Sequence, residues 1–292
     1  MSLVLLHYLK VSTINLNITL FIIQSMTTLS KYFIESENIG IYEQILEKVT
    51  IIDAHTHIGS DVDGHKLSVP SLLKSMKHND INKAIIFPPD DKRAGRTFSH
   101  PNEHILKAYQ NNPQKFIPFF RLNPKYDWTE ELEKRVSQGF LGVKLHPRAQ
   151  KFFMTSQKAM SLYKKLEKEN LILLIHAGFG LDSIAEDLNS IARTFPKLKI
   201  LVGHGGFPDL ESVIRLLKAR DNIMFEISTM RIFDLLELLK SVSSKKIVFG
   251  SDVPYYDQTL SLQVLIDSAT LARKQPHQIR RMLGENLEKW LK

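Results

Sequence analysis

The chain has no cysteine in 292 residues, which removes disulfides, thiolate ligands and a cysteine nucleophile together. Any transition metal must therefore be held by histidine, carboxylate or a modified lysine. It also lacks the run of ~20 apolar residues that a membrane helix needs. The most apolar stretch, residues 1–24, is interrupted by Asn15, Asn17 and Gln24. That stretch is acid-free, and its LNITLFIIQSM faintly resembles a signal core, but it has neither a charged start nor a small-residue cleavage site. Residues 1–30 read as an appendage to a single domain over 31–292, in a protein expected in the cytoplasm. No Gly-x-Gly-x-x-Gly opens a helix after the first strand, which weakens a dinucleotide-binding reading.

Basic residues exceed acidic ones, 39 to 31, for a formal charge of +8. The excess is scattered rather than run together, so the expected partner is a small molecule, with an anionic one admitted by the charge, rather than nucleic acid. An apolar fraction of 43% with 24% charged residues can fill a large globular core.

From residue 51 onward, short apolar runs alternate with amphipathic stretches, the pattern of βαβ units around a parallel sheet. Eight strands are expected, at 51–57, 83–88, 116–122, 141–146, 171–176, 199–204, 223–228 and 246–251. Helical periodicity fills the intervals: SLLKSMKHN after Pro70, NEHILKAYQNN after Pro101, WTEELEKRVSQ, SQKAMSLYKKLEKEN, SIAEDLNSIARTF, PDLESVIRLLKAR and RIFDLLELLKS. SLQVLIDSATLARK and HQIRRMLGENLEKWL close the chain. Eight such units fit an α/β fold of the (β/α)₈ TIM-barrel type better than an open sheet.

The strands end in metal-binding residue types. IIDAHTHIG, GVKLHP, LILLIHAG, KILVGHGG and KIVFGSDVP place His, Lys or Asp where a parallel barrel gathers its loops. Alternation along a strand puts Asp53, His55 and His57 on one face, so that both imidazoles reach one cavity. With His176 and Asp252 they form the expected ligand set for a divalent ion, zinc or a similar metal, that keeps a position open for chemistry. A water on such an ion loses its proton near neutral pH. Asp252 is then the expected general base, and His204 is expected to orient water or polarise a substrate oxygen.

Lys144 shares a face with His146, and an uncompensated ammonium inside a barrel is expensive. Three roles stay open for it: an ion pair with Asp252, contact with an anionic substrate, or a carbamate bridging two metals. The polar loop PPDDKRAGRTFSH offers Arg93 and Arg96 as holders of a substrate carboxylate. Phe179, Tyr255 and Tyr256 are candidates for the pocket wall.

These motifs, DAHTH at 53–57, NKAIIFPP at 82–89, GVKLHP at 142–147, HAG at 176–178, GHGG at 203–206, GSDVP at 250–254 and LGEN at 283–286, together resemble the amidohydrolase superfamily. The similarity is greatest to its amidohydrolase-2 branch. The resemblance implies zinc or manganese, one ion rather than two, and action on an amide, lactone or other carbonyl compound. It also implies a second possible reaction, removal of a carboxylate from an aromatic or unsaturated acid. A metal-dependent deoxyribonuclease is a lesser alternative, since those barrels share DxHxH but carry a carboxylate where GVKLHP stands. Oligomer formation is possible.

Overall fold

The structure, a computed structural model, describes residues 49–178, 180–181 and 184–292. The expected appendage at 1–30 and Phe179 lie outside the described residues. Eight parallel strands follow one another around the sheet: β1 Ile51–His57, β2 Ile81–Phe87, β3 Phe116–Arg121, β4 Gly142–Leu145, β5 Ile172–His176, β6 Ile200–Gly203, β7 Ile223–Glu226 and β8 Ile247–Val248. Helices alternate with them: α1 Val69–His78, α2 Ser99–Asn111, α3 Thr129–Ser137, α4 Gln157–Lys168, α5 Ile184–Thr194, α6 Leu210–Leu217, α7 Ile232–Ser241 and α8 Gln258–Leu271. This is the expected TIM barrel.

Two local departures have physical causes. α8 starts at Gln258, three residues before the apolar pattern begins, because the Asp257 side chain accepts the Leu260 N–H and caps it. The closing helix is divided by a π-turn at Arg281–Glu285. There Gly284 lies so close to β1 that a Cβ would meet the Thr50 carbonyl oxygen at 1.9 Å. The LGEN motif is thus a seal on the barrel floor, and Asn286 completes it by donating to the Ser244 and Ile247 carbonyls.

The sheet closes without a regular β8–β1 ladder. Ala54 N–H donates to Phe249 O, Asp252 N–H to His55 O and His57 N–H to Val253 O, at 2.8–3.0 Å. Asp53 braces this seam. Its buried carboxylate accepts from His55 N, Ser251 N, Ser251 Oγ and Gln258 Nε2. Burial pushes the Asp53 carboxyl up to about 6, against the pull of those hydrogen bonds.

Asp53 consequently does not share a face with the two histidines. Ile52 and Ala54 join the apolar barrel interior with Ile85, Phe87, Ile117 and Phe119, and the β1–β2 register shifts between Asp53 and Thr56. That irregularity leaves Asp53 in the seam while His55 and His57 line the cavity. Strict alternation, which the sequence suggested, misses it.

Candidate metal-binding active site

A cavity of about 750 Å³ opens at the C-terminal ends of the strands. His55, His57, Lys144, His146, His176, His204, Asp252 and Tyr255 all line it, so one site collects most of the residues singled out from sequence. Arg93 and Arg96 stand apart from it. The Arg93 side chain is 61% exposed and closed on Asp91 through Nε and Nη2, at 3.0 and 2.7 Å. Arg96 is exposed and lies over the Tyr126 ring. Tyr255 lines the cavity and meets His57 edge-on at 5.0 Å, whereas Tyr256 is not among the residues that line it.

His55 and His57 both approach Asp252 Oδ1 through Nε2, at 3.2 and 3.0 Å. These three offer ligand atoms within 4.8 Å of one another, and His55, His204 and Glu226 form a second such group. His176 stands outside both groups and joins through His204, whose Nε2 is 3.0 Å from His176 Nδ1.

Glu226 was not anticipated. It is an acidic residue inside the apolar strand IMFE and is fully buried. Its side chain accepts from Ser228 N and Ser228 Oγ, at 2.6 and 2.9 Å, and lies 2.6 Å from His55 Nδ1. Gly250 makes room for it, because a Cβ there would fall 2.2 Å from Glu226 Oε1. The inward position of Glu226, two residues beyond interior Met224, was the available signal.

The hydrogen-bond network assigns the tautomers. Glu226 takes the His55 Nδ1–H, which leaves a lone pair on His55 Nε2 facing Lys144 Nζ at 3.0 Å and the Asp252 oxygen. A lone pair and a carboxylate oxygen at 3.2 Å tolerate each other only with positive charge beside them. His204 Nδ1 lies 3.2 Å from the Ser228 carbonyl, which can only accept. The Thr229 and Ser228 hydroxyls, at 3.0 and 3.1 Å from the same nitrogen, can donate or accept; with Nδ1–H given to the carbonyl, Nε2 accepts from His176 Nδ1–H. His176 Nε2 is left buried with a lone pair and no hydrogen bond, and His57 Nδ1 is likewise unpaired. Imidazole lone pairs and a carboxylate, with unpaired buried nitrogens among them, are a donor set suited to a divalent cation.

Electrostatics point the same way. Burial, followed by the neighbouring Lys144 charge, holds His55 well below its usual range. His57 is lowered by burial although Asp252 opposes the shift, and His176 is held well below by burial and then His204. Burial, followed by the Arg121 charge, pushes the half-buried His146, which stacks on His176 at 3.8 Å, down to about 2. Neutral imidazoles are the metal-binding form. Burial alone would raise Asp252; the facing His55, His57 and His204 and the His57 hydrogen bond outweigh it and hold the carboxyl well below the ordinary range. Burial lowers Lys144 to about 8 while Asp252 and Glu226 partly offset the shift. Its closest polar contact is His55 rather than Asp252. His204, Thr229 and Asp252 all adopt left-handed backbone, with φ of 59°, 57° and 65°, a local strain concentrated at this mouth.

Arg121 was also passed over by the sequence reading. It is 1% exposed, follows Ile117 and Phe119 on the inward face of β3, and forms part of the cavity wall.

No curated protein matches the sequence. Among solved structures, an uncharacterised TIM-barrel protein from Bordetella bronchiseptica is similar at 16% identity with a TM-score of 0.67, over 83% of this chain and 98% of its own. A dihydroxybenzoic acid decarboxylase from Polaromonas, solved with manganese and the inhibitor 2-nitroresorcinol, matches at 13% identity and a TM-score of 0.67, over 84% and 97%. A protein from Acinetobacter baumannii, described as a probable 2-pyrone-4,6-dicarboxylic acid hydrolase with citric acid bound, matches at 16% and 0.62, over 83% and 99%. At such identities the likeness establishes the fold. The model of the amidohydrolase family matches residues 52–292, nearly the whole described chain, and this protein belongs to that amidohydrolase-2 family.

Proposed function

We propose that the protein is a metal-dependent hydrolase that cleaves a carbonyl-centred bond, of amide, lactone or ester type, in a small molecule. The observation that carries this reading is the contact of the Asp252 carboxylate with the imidazoles of both His55 and His57 at the cavity floor. His55, His57, His176 and Asp252 would hold one divalent ion, zinc or manganese, which when bound supplies Lewis acidity toward a carbonyl and lowers the proton affinity of water.

The chain's own groups divide the remaining work. Asp252 stays ionised through neutral pH and accepts the proton released as water attacks, then returns it to the leaving group. Glu226 keeps His55 in its Nδ1–H tautomer, and His204 does the same for His176. With both ring nitrogens engaged, His204 serves as a positioning group rather than as the polarising contact expected from sequence. Lys144, mostly protonated at pH 7, is placed to meet negative charge developing on the substrate oxygen.

Decarboxylation of an aromatic or unsaturated acid is the second reading, favoured by the guanidinium of Arg121 in the cavity wall. Turnover of a panel of lactones, amides and aromatic acids in ¹⁸O-water separates the two. Incorporation of ¹⁸O into a cleaved product supports hydrolysis, and release of CO₂ without incorporation replaces it with the lyase. Both require that Asp252→Asn lower turnover by ~10²-fold or more while part of the metal affinity remains.

A further inference from the structure

We propose that Arg121 is the carboxylate-recognition residue of the cavity and that Asp90 is its resting partner, displaced when a substrate carboxylate arrives. This rests on the reading above that the substrate reacts in this cavity. The Arg121 guanidinium meets Asp90 Oδ1 through Nη2 at 2.7 Å, off the hydrogen-bond axis, and neither Nε nor Nη2 has a hydrogen bond. Burying Nε without an acceptor, beside an Nη2 held only by this misaligned ion pair, is costly. The two nitrogens form the edge of the guanidinium that takes a carboxylate in two parallel hydrogen bonds.

The strand end that carries Arg121 is fixed from behind. Asn102, on α2, accepts Arg121 N–H at 2.9 Å and donates to Arg121 O at 2.9 Å. The same amide donates to Glu131 Oε1 at 2.8 Å, and Glu131 is held by Arg135 Nε at 2.6 Å. Arg135 is in turn tied to Glu103 and to the Ser99 carbonyl. This polar chain runs from α3 through α2 to the backbone of β3, and the Phe98 ring, 4.6 Å from the guanidinium carbon, limits its side-chain freedom.

Two neighbouring carboxylates on that wall are already committed. Asp91 is closed on Arg93. Asp61 accepts the Tyr255 hydroxyl and the N–H groups of Asp63 and Asp90. Asp90 is 27% exposed, so it can leave the guanidinium for solvent. A planar carboxylate of a small molecule then replaces it and gains the hydrogen bonds that Asp90 does not make.

Calorimetry on metal-loaded protein tests this with benzoate and its neutral isostere benzamide, metal content being measured on every sample. Wild type is expected to bind benzoate at least ~10-fold more tightly than benzamide, the scale of a charge-assisted hydrogen bond. Arg121→Gln should remove that preference and leave benzamide binding unchanged. Arg121→Lys, which keeps the charge without the fork, should restore part of it, and Asp90→Asn should tighten benzoate binding several-fold by freeing the guanidinium. Asn102→Ala should weaken the preference with Arg121 still present. If Arg121→Gln does not fold, the lysine and Asp90 variants decide. No preference in wild type, an intact preference in Arg121→Gln, or weaker benzoate binding in Asp90→Asn would overturn the assignment. The hydrolase reading fails separately: an Asp252→Asn protein that keeps full turnover sinks it, even if the carboxylate preference depends on Arg121 as proposed.

Discussion

The lower and upper parts of the barrel interior use the same inward-facing rows for opposite ends. Below, Ile52, Ile85, Phe87, Ile117, Phe119, Leu174, Leu201, Met224 and Val248 fill the interior, and Leu287, Trp290 and Leu291 stop its floor. One step of two residues upward, Phe119 gives way to Arg121, Leu174 to His176, and Met224 to Glu226. Gly142 leads likewise to Lys144, and Val248 leads through Gly250 to Asp252. The apolar layers fix the strand positions, so the polar ends need little freedom of their own. Stability is concentrated below, and chemistry above.

Substitutions in the two layers should therefore separate rate from stability. Asp252→Asn is expected to cost ~10²–10⁴-fold in kcat, the range of a general base, with thermal stability nearly unchanged; steady-state kinetics beside a melting curve checks both. Phe119→Ala, directly below Arg121, should do the reverse, losing ~3–5 kcal/mol of stability in denaturant unfolding while the folded enzyme keeps most of its kcat. Glu226→Gln should sit between them. Its expected loss is ~10-fold or more in metal affinity, measured by competition with a chelator, because His55 loses the charge that fixes its tautomer.

The smallest effect is a pH dependence in metal-stripped protein. Burial lowers Lys144 from 10.5 to about 8, so between those values the folded state binds fewer protons than the unfolded one. Stability should rise with pH across that window. Lys144→Met should lack the rise, so its advantage over wild type near pH 7.5 should shrink by about pH 10. Denaturation of both proteins at the two pH values tests the sign.

The order of strands and helices was legible because each βα unit carries its own period and its own start signal. Within the site, residues after the apolar runs stood out, which is how His55, His57, His176, His204 and Asp252 were found. Arg121 and Glu226 lie inside the runs FIPFFR and IMFE, where a charged residue is easily passed over; counting inward parity from Phe119 and Met224 finds both. The loop arginines were misplaced because sequence does not say which side of a loop a side chain takes, and Asp91 holds Arg93 outward. The face change in β1 depends on Asp53 meeting Ser251 and Gln258, residues about two hundred positions away, which no local pattern carries. Tautomers follow from the same long-range contacts.

Elemental analysis of protein purified with excess zinc or manganese, for wild type beside His57→Ala, tests the convergent lone pairs most directly. The expected result is about one ion per chain in wild type, the stoichiometry of a mononuclear catalytic site, and its loss in the variant. Metal-free wild type under those conditions, or equal metal content in the two proteins, would contradict it.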